Sequence, residues 1–501
     1  MNKTKRVVDA QNILCLLSAA RSRVFKIRTK DVGIGILLFL VYFLFRLPFL
    51  WQLPIFGDET LFTGWGLMAS KNISDLSAPL KAGISPLFSW LTFLLLPFFL
   101  NQLEAGRYLS LISGFLTVVM SYLFFRFLFR SRFPFLLASM LMVLPIMFVY
   151  NQLGLMESTL VFFILVSLYL GYQCLEGQSW RKIIFYTLFS ILAILAKTIA
   201  IISIPAILLS TVILDRKVTK RALVVLLFSV LSVGIAMTVF LPFRSRTASF
   251  LADYVFIPTN FTDTIVHVKK NLWLTWYWMT AYYPGIFLVS AACGFLTAFH
   301  KGNKAKKFFA LAFAAYFVGV VITDKIYFPR HTLVFAPFLV FLCSFFIDWI
   351  EEFSKKVAFI TLIIILLFTI QSTQILITNP GNNSVMAKED TFQLYEDWTS
   401  GKELPNIAAY IDKQVETHEQ STVYVDDTLY MYGLPLYLKK NSKISIKQLP
   451  EKQELLIKEL KNDSSPTFVI ENRSLPYQVA SLERKEFPLS HRHVVSVLRV
   501  K

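Results

Sequence analysis

The chain has 501 residues, 55% of them hydrophobic and 16% charged, with 48 phenylalanines and a formal net charge of +18. That apolar share is more than a soluble core can bury, and apolar runs of spanning length recur, so the chain is expected to be a polytopic membrane protein. The basic excess would suggest nucleic acid in a soluble protein. Here most of it falls in short loops, where it reports orientation, and no nucleic-acid partner is implied.

Loop charge sets the expected topology. A basic segment, residues 1–31 with "RSRVFKIRTK" near its end, precedes the first span at 34–53. It has no cleavable-signal pattern and reads as the cytoplasmic lead-in to an uncleaved anchor. Residues 84–100, with Pro86 and Pro97, are ambiguous. If they crossed, "RFLFRSRF" would put three arginines in one short outer loop. They are therefore expected to form an interfacial or re-entrant helix within a first outer loop, 54–105. Spans follow at 106–129, 134–150 and 155–175. A hairpin of two short spans covers 183–214 with Lys197 at its outer tip, and a span at 221–243 leads to a second outer loop, 244–283. The last spans are 284–299, 308–322, 332–350 and 357–377. The total is about eleven, with eleven to thirteen as the range, and places the C-terminal region outside.

After residue 378 the long apolar runs stop. "NIAAYIDKQVE" and "EKQELLIKEL" read as amphipathic helices, and "STVYVDD", "KISIK", "PTFVIEN" and "HVVSVLRV" as short strands. Residues 379–501 are thus expected to be an extracytoplasmic α/β domain. It has no glycine-rich phosphate loop and no nucleophile elbow. Cys15, Cys174, Cys293 and Cys343 show neither metal-ligand spacing nor a disulfide framework.

The unusual polar residues collect on the expected outer face. Asp58 and Glu59 follow the first span. Glu157 opens an inward span, Lys197 sits at the hairpin tip, and "TDKIYFPRH" supplies Lys325, Arg330 and His331. The second outer loop adds Arg244, Arg246, His267, Lys269 and Lys270, followed by "WLTWYWMTAYY" with Trp276, Tyr282 and Tyr283. Each has a plain reading: a solvated boundary carboxylate, a snorkelling lysine, an interfacial aromatic belt, a structural histidine. Together they suit a lipid-linked phosphate donor. Cations would hold the phosphate, a greasy groove the tail, and a carboxylate would act as base toward an acceptor hydroxyl. The aromatics would stack on a sugar or anchor the interface. On charge pattern alone a transporter or flippase of lipid-linked or anionic solutes stands level with an enzyme.

The order of motifs favours the enzyme. "LPFLWQLPIFGDETLFTGWGLMAS", "ISPLFSW", "EAGRYLSLISG", "MESTLVFF", "AILAKTIAIISIP", "FPRHTLVFAPFLVF" and "YEDWTSGKELPNIAAYI" occur in sequence along nearly the whole chain. This series resembles the GT-C superfamily of membrane glycosyltransferases. The branch is that of the dolichyl-phosphate-mannose protein mannosyltransferases and the bacterial transferase of aminoarabinose to lipid A. The resemblance implies a transmembrane catalytic domain, 32–378, in a bacterial plasma membrane. It implies a polyprenyl-phosphate sugar donor and a glycolipid, cell-wall polymer or protein acceptor. Asp58 then matches the catalytic carboxylate, Glu59 its supporting neighbour, Glu157 a second acidic position, and Arg330 a donor-phosphate residue, with Lys197 and Lys325 weaker candidates. The branch generally needs no metal, and no cofactor is expected. One departure stands out. The basic residue that usually precedes the family's Pro-Pro-Leu segment is Ile84 here, Ser85 replaces the first proline, and Lys81 is out of register.

Overall fold

The computed structural model describes residues 29–177, 179–215, 219–256, 260–380, 384–415, 420–439, 443–450, 466–472, 483–489 and 493–499. Two expectations, the basic lead-in up to residue 28 and the "EKQELLIKEL" helix, lie outside them.

Among the described residues seven helices are long and apolar enough to cross a membrane: Thr29–Phe49, Gln102–Leu128, Met156–Glu176, Lys220–Ser249, Lys304–Thr323, Pro329–Phe353 and Lys355–Thr378. The remaining predicted spans are short or broken. The stretch 134–150, expected as one span, is two helices, Pro134–Met142 and Pro145–Tyr150. Pro145 holds the residue before it, Leu144, in an extended conformation and so ends the first helix. Arg46, fully buried, bridges the two pieces, donating to Met142 O at the end of the first at 2.6 Å and to Met147 O in the second at 2.7 Å. The hairpin is Trp180–Ala196 and Ser203–Asp215, interrupted at Lys197, whose backbone is extended.

The segment expected as interfacial forms the helix Leu87–Leu95 with one further turn to Phe98. At 1.5 Å per residue that is about 18 Å, well short of a ~30 Å hydrocarbon core. The second expected loop holds two helices, Arg244–Tyr254 and Phe261–Tyr282. Asn260 caps the second by accepting from Asp263 N at 2.7 Å. Its buried residues, Asn271, Thr275, Trp278, Met279 and Tyr282, recur at helical spacing within the aromatic run.

The C-terminal unit is a five-stranded sheet of order β2-β1-β3-β5-β4. Its strands are β1 Ser421–Val425, β2 Ile444–Gln448, β3 Thr467–Glu471, β4 Glu483–Pro488 and β5 Val494–Arg499. β1 runs parallel to β2 and β3, and β5 runs antiparallel to β3 and β4. The helix Leu404–Gln414 covers it with Leu404, Ile407, Ala408 and Ile411. The strand β4 was not expected from the sequence. It is an edge strand reading "ERKEFP", and edges tolerate such charge because one side faces solvent.

Two backbone seams join this unit to the start of the first loop. Gly57 N donates to Thr399 O at 2.9 Å and Gly401 N to Ile55 O at 2.7 Å, on either side of a bridge between Phe56 and Ser400. A side chain at Gly401 would sit 2.7 Å from Ile55 O. Tyr432 packs on the helix Gly57–Lys71 where Gly64 leaves room; a Cβ there would lie 2.5 Å from its ring.

Candidate active site

Asp58 is the second residue of the helix Gly57–Lys71, and its side chain is 34% exposed. Arg330 reaches it from the turn Pro329–Val334, with Nη2 at 2.9 Å from Asp58 Oδ2. The same guanidinium places Nε 3.6 Å from Glu157 Oε1, and Lys197 Nζ donates to that oxygen at 2.9 Å. Four charges from four distant segments thus form one chain: Asp58, Arg330, Glu157, Lys197. Each position has a local cause. Glu157 lies in the first turn of the helix Met156–Glu176, where free N–H groups favour a carboxylate. Lys197 projects from the hairpin break. Arg330 lies over the rings of Phe328, at 4.5 Å, and Phe56, at 5.6 Å, which hold the guanidinium beside Asp58. His331 Nδ1 pairs with Asp324 Oδ2 at 2.6 Å.

Beside this row the structure adds a group the sequence did not suggest. Asp390, on the helix Lys388–Tyr395 that opens the sheet domain, is buried. Tyr150 and Tyr282 both donate their hydroxyls to Asp390 Oδ2, and Trp278 Nε1 donates to Glu389 Oε2 at 3.0 Å. Burial raises the Asp390 carboxyl to about 6, against the two phenol hydrogen bonds and the charge of Arg330, which pull it down. A lone "KED" after the last span gives no sign of this, because such residues are normally solvated.

Other expected site residues lie elsewhere. Glu59, expected to work beside Asp58, is fully buried and turned into the fold. Its two oxygens accept from Arg107 Nε and Nη2, each at 2.9 Å, and Oε2 also accepts from Gly154 N at 2.5 Å. Neighbouring residues on a helix point about 100° apart, so only one of the pair can face the cleft. Lys325 is exposed, whereas the cations paired with Asp58 and Glu157 are Arg330 and Lys197. Trp276 is exposed on the outer side of its helix; Tyr283 is buried and stacked on Phe287 at 5.5 Å. Only Tyr282 of the three expected aromatics reaches the cluster. Ser85 is buried and Lys81 exposed. Among the described residues no group of three or more His, Cys, Asp or Glu side chains is placed to hold a metal ion.

A family profile described as dolichyl-phosphate-mannose-protein mannosyltransferase matches residues 82–245. The apo crystal structure of ArnT from Cupriavidus metallidurans is similar over 94% of this chain and 98% of its own, with a TM-score of 0.57 and 14% identity. The chain has the GT-C fold. The same ArnT bound to undecaprenyl phosphate matches with a TM-score of 0.54 at 14% identity, over 93% of this chain and 97% of that one. The archaeal oligosaccharyltransferase AglB from Archaeoglobus fulgidus, in complex with an inhibitory peptide and a dolichol-phosphate, matches with a TM-score of 0.50. It is 11% identical over 88% of this chain and 69% of its own. Among curated protein sequences none matches. Within this GT-C fold, the charged row joins the first loop, the helix at Glu157, the hairpin tip and the turn at Arg330, and the sheet domain closes one side through Asp390.

Proposed function

We propose that the chain is a glycosyltransferase of the outer membrane face that moves a sugar from a polyprenyl-phosphate donor to an acceptor hydroxyl with inversion. The observation that carries this reading is the one-third-exposed Asp58 carboxylate held 2.9 Å from Arg330, next to the Glu157–Lys197 pair. Asp58 takes the acceptor's O–H proton as its oxygen forms a bond to the anomeric carbon. The bond from that carbon to the donor phosphate breaks on the opposite side. The departing lipid phosphate carries away the electron pair and is stabilised by Arg330 and Lys197. For this to happen Arg330 exchanges one anion for another, leaving Asp58 and taking the phosphate. Asp58 is thereby freed as a base when the donor is in place.

The ArnT complex with undecaprenyl phosphate and the AglB complex with a dolichol-phosphate support a polyprenyl-phosphate donor. The mannosyltransferase profile supports sugar transfer. A transporter would need charges open to both faces at mid-span. Here Asp58, Glu157, Lys197 and Arg330 all sit at the ends of their elements on one side, which favours an enzyme.

The test is to incubate purified protein with radiolabelled polyprenyl-phosphate sugars and follow label into acceptor or water. Asp58→Asn and Asp58→Ala are expected to abolish transfer while the protein still inserts and purifies as a single species. Near-normal transfer in both variants would overturn the assignment of Asp58 as base. Movement of label across the bilayer without cleavage would favour the transporter.

A further inference from the structure

Glu157 is 4% exposed, and only one of its carboxylate oxygens is used. Oε1 takes Lys197 and faces Arg330, while Oε2 is buried with no hydrogen-bond partner. A buried, unserved carboxylate oxygen is costly, and such an exception calls for a reason. Glu157 lines a cavity together with Lys197, Arg330 and His331, and the other wall is aliphatic, including Leu160, Val161 and Leu333.

The chemistry of the missing partner can be read from what surrounds it. Oε2 only accepts, so its partner must donate. A lipid phosphate ester at neutral pH is itself an acceptor and would face this oxygen with repulsion. His331 narrows the choice further. Its Nδ1–H is committed to Asp324, so in the neutral ring Nε2 is a second acceptor. The cavity thus offers two cations suited to phosphate and two acceptors that phosphate cannot satisfy. A sugar bears donors; the lipid tail and phosphate do not. The negative charges of Asp58 and Glu157 are matched by those of Arg330 and Lys197, and the donor phosphate adds a further negative charge, so a sugar hydroxyl and a sugar amino group both serve as the donor to Oε2.

We infer that Glu157 is the sugar-recognition residue of the site, its free carboxylate oxygen accepting a hydrogen bond from a donating group of the donor sugar. This rests on the proposed use of a polyprenyl-phosphate donor. It gives Glu157 a role in choosing the sugar, distinct from the base at Asp58 and the phosphate residue Arg330.

The test compares two affinities on the full-length protein in nanodiscs. One is for undecaprenyl phosphate alone. The other is for undecaprenyl phosphate carrying glucose, galactose, arabinose or an amino-arabinose. The wild type is expected to bind at least one of the sugar-bearing lipids more tightly than the bare lipid phosphate. Glu157→Gln keeps the side-chain shape and is expected to lose about tenfold of that sugar-dependent gain, read as the ratio of the two affinities, while the charge removed beside Lys197 and Arg330 strengthens binding of the bare lipid phosphate. The double variant Glu157→Gln/Lys197→Met removes both partners of the pair and guards against a fold that cannot tolerate an unpaired Lys197. It is expected to lose the same sugar-dependent gain, now on a weaker bare-lipid affinity. A sugar gain that survives in both variants overturns the inference. So does an equal change for bare and sugar-bearing lipids in Glu157→Gln, or a wild type without any sugar gain. A wild type that binds none of the lipid phosphates instead overturns the proposed donor class itself, which keeps the two failures apart.

Discussion

Replacing Glu59 tests whether the two adjacent carboxylates do different work. Glu59 and Arg107 are both fully buried and share two hydrogen bonds of 2.9 Å. Removing one member of such a pair leaves the other charge uncompensated, at a cost of about 3–5 kcal/mol. Arg107 keeps backbone acceptors at Leu50 O, 2.6 Å, Pro54 O, 3.2 Å, and Leu53 O, 3.3 Å, and it lies over Trp51. Glu59→Gln retains an acceptor oxygen and should fall near 3 kcal/mol, and Glu59→Ala nearer 5. Against a typical total of 5–15 kcal/mol that is a large fraction. The assay is thermal unfolding of the purified protein in detergent, paired with transfer measured per folded molecule. Both Glu59 variants are expected to melt several degrees lower while the surviving folded fraction still transfers sugar. Adding Arg107→Met to Glu59→Ala should recover part of the loss, because the stranded charge is gone. Asp58→Asn should give the reverse pattern, no transfer and little change in melting, since its ion pair with Arg330 is one-third exposed on the Asp58 side. Unchanged melting with abolished transfer in Glu59→Gln would refute the division of labour.

Three further outcomes follow from the geometry. Arg330→Gln is expected to raise the KM for a polyprenyl-phosphate donor and lower kcat, together on the order of a hundredfold in kcat/KM, and steady-state kinetics over donor concentration would check it. Asp390 has a folded-state carboxyl near 6 against an ordinary 3.8, a preference for the protonated form of roughly 3 kcal/mol. The folded state therefore holds this proton more tightly than the unfolded chain. The stabilisation is complete below about pH 4 and is lost as pH rises through about 6. Melting curves should fall from pH 5 to 7.5 in the wild type and flatten in Asp390→Asn; equal slopes would refute it. Gly64→Leu drives a side chain into the ring of Tyr432 and is expected to loosen the sheet domain, seen as faster proteolysis after residue 378, whereas Gly35→Leu, at an open position, should leave it unchanged.

Much of the charged row was legible because charge at the end of an apolar run is conspicuous. Asp58, Glu157, Lys197 and Arg330 each stand out against their spans, and the structure brings them together. Which member of the Asp58–Glu59 pair faces inward was not legible, since that depends on where Arg107 and Gly154 fall in space. Asp390 was hidden by the reverse effect. It lies in a polar stretch where an acidic residue carries no signal, and only the docking of its helix against Tyr150 and Tyr282 takes it out of water. The helix Phe261–Tyr282 was obscured by its aromatic run, which reads equally as an interfacial belt. The hairpin break at Lys197 was visible from flanking basic loops, whereas the break at Pro145 was not, because the proline sits inside a run of otherwise suitable length.

The two backbone bonds from Gly57 and Gly401 tie residues 399 and 401 of the sheet domain to residues immediately before Asp58. They make the C-terminal unit a mechanical brace for the start of the helix that carries Asp58. A displacement of the sheet domain pulls on Ile55, Phe56 and Gly57 and so shifts the carboxylate one residue later. Exchanging that domain for a relative's would therefore require moving both sides of the brace together, and a molecule that grips the domain would have a direct handle on Asp58.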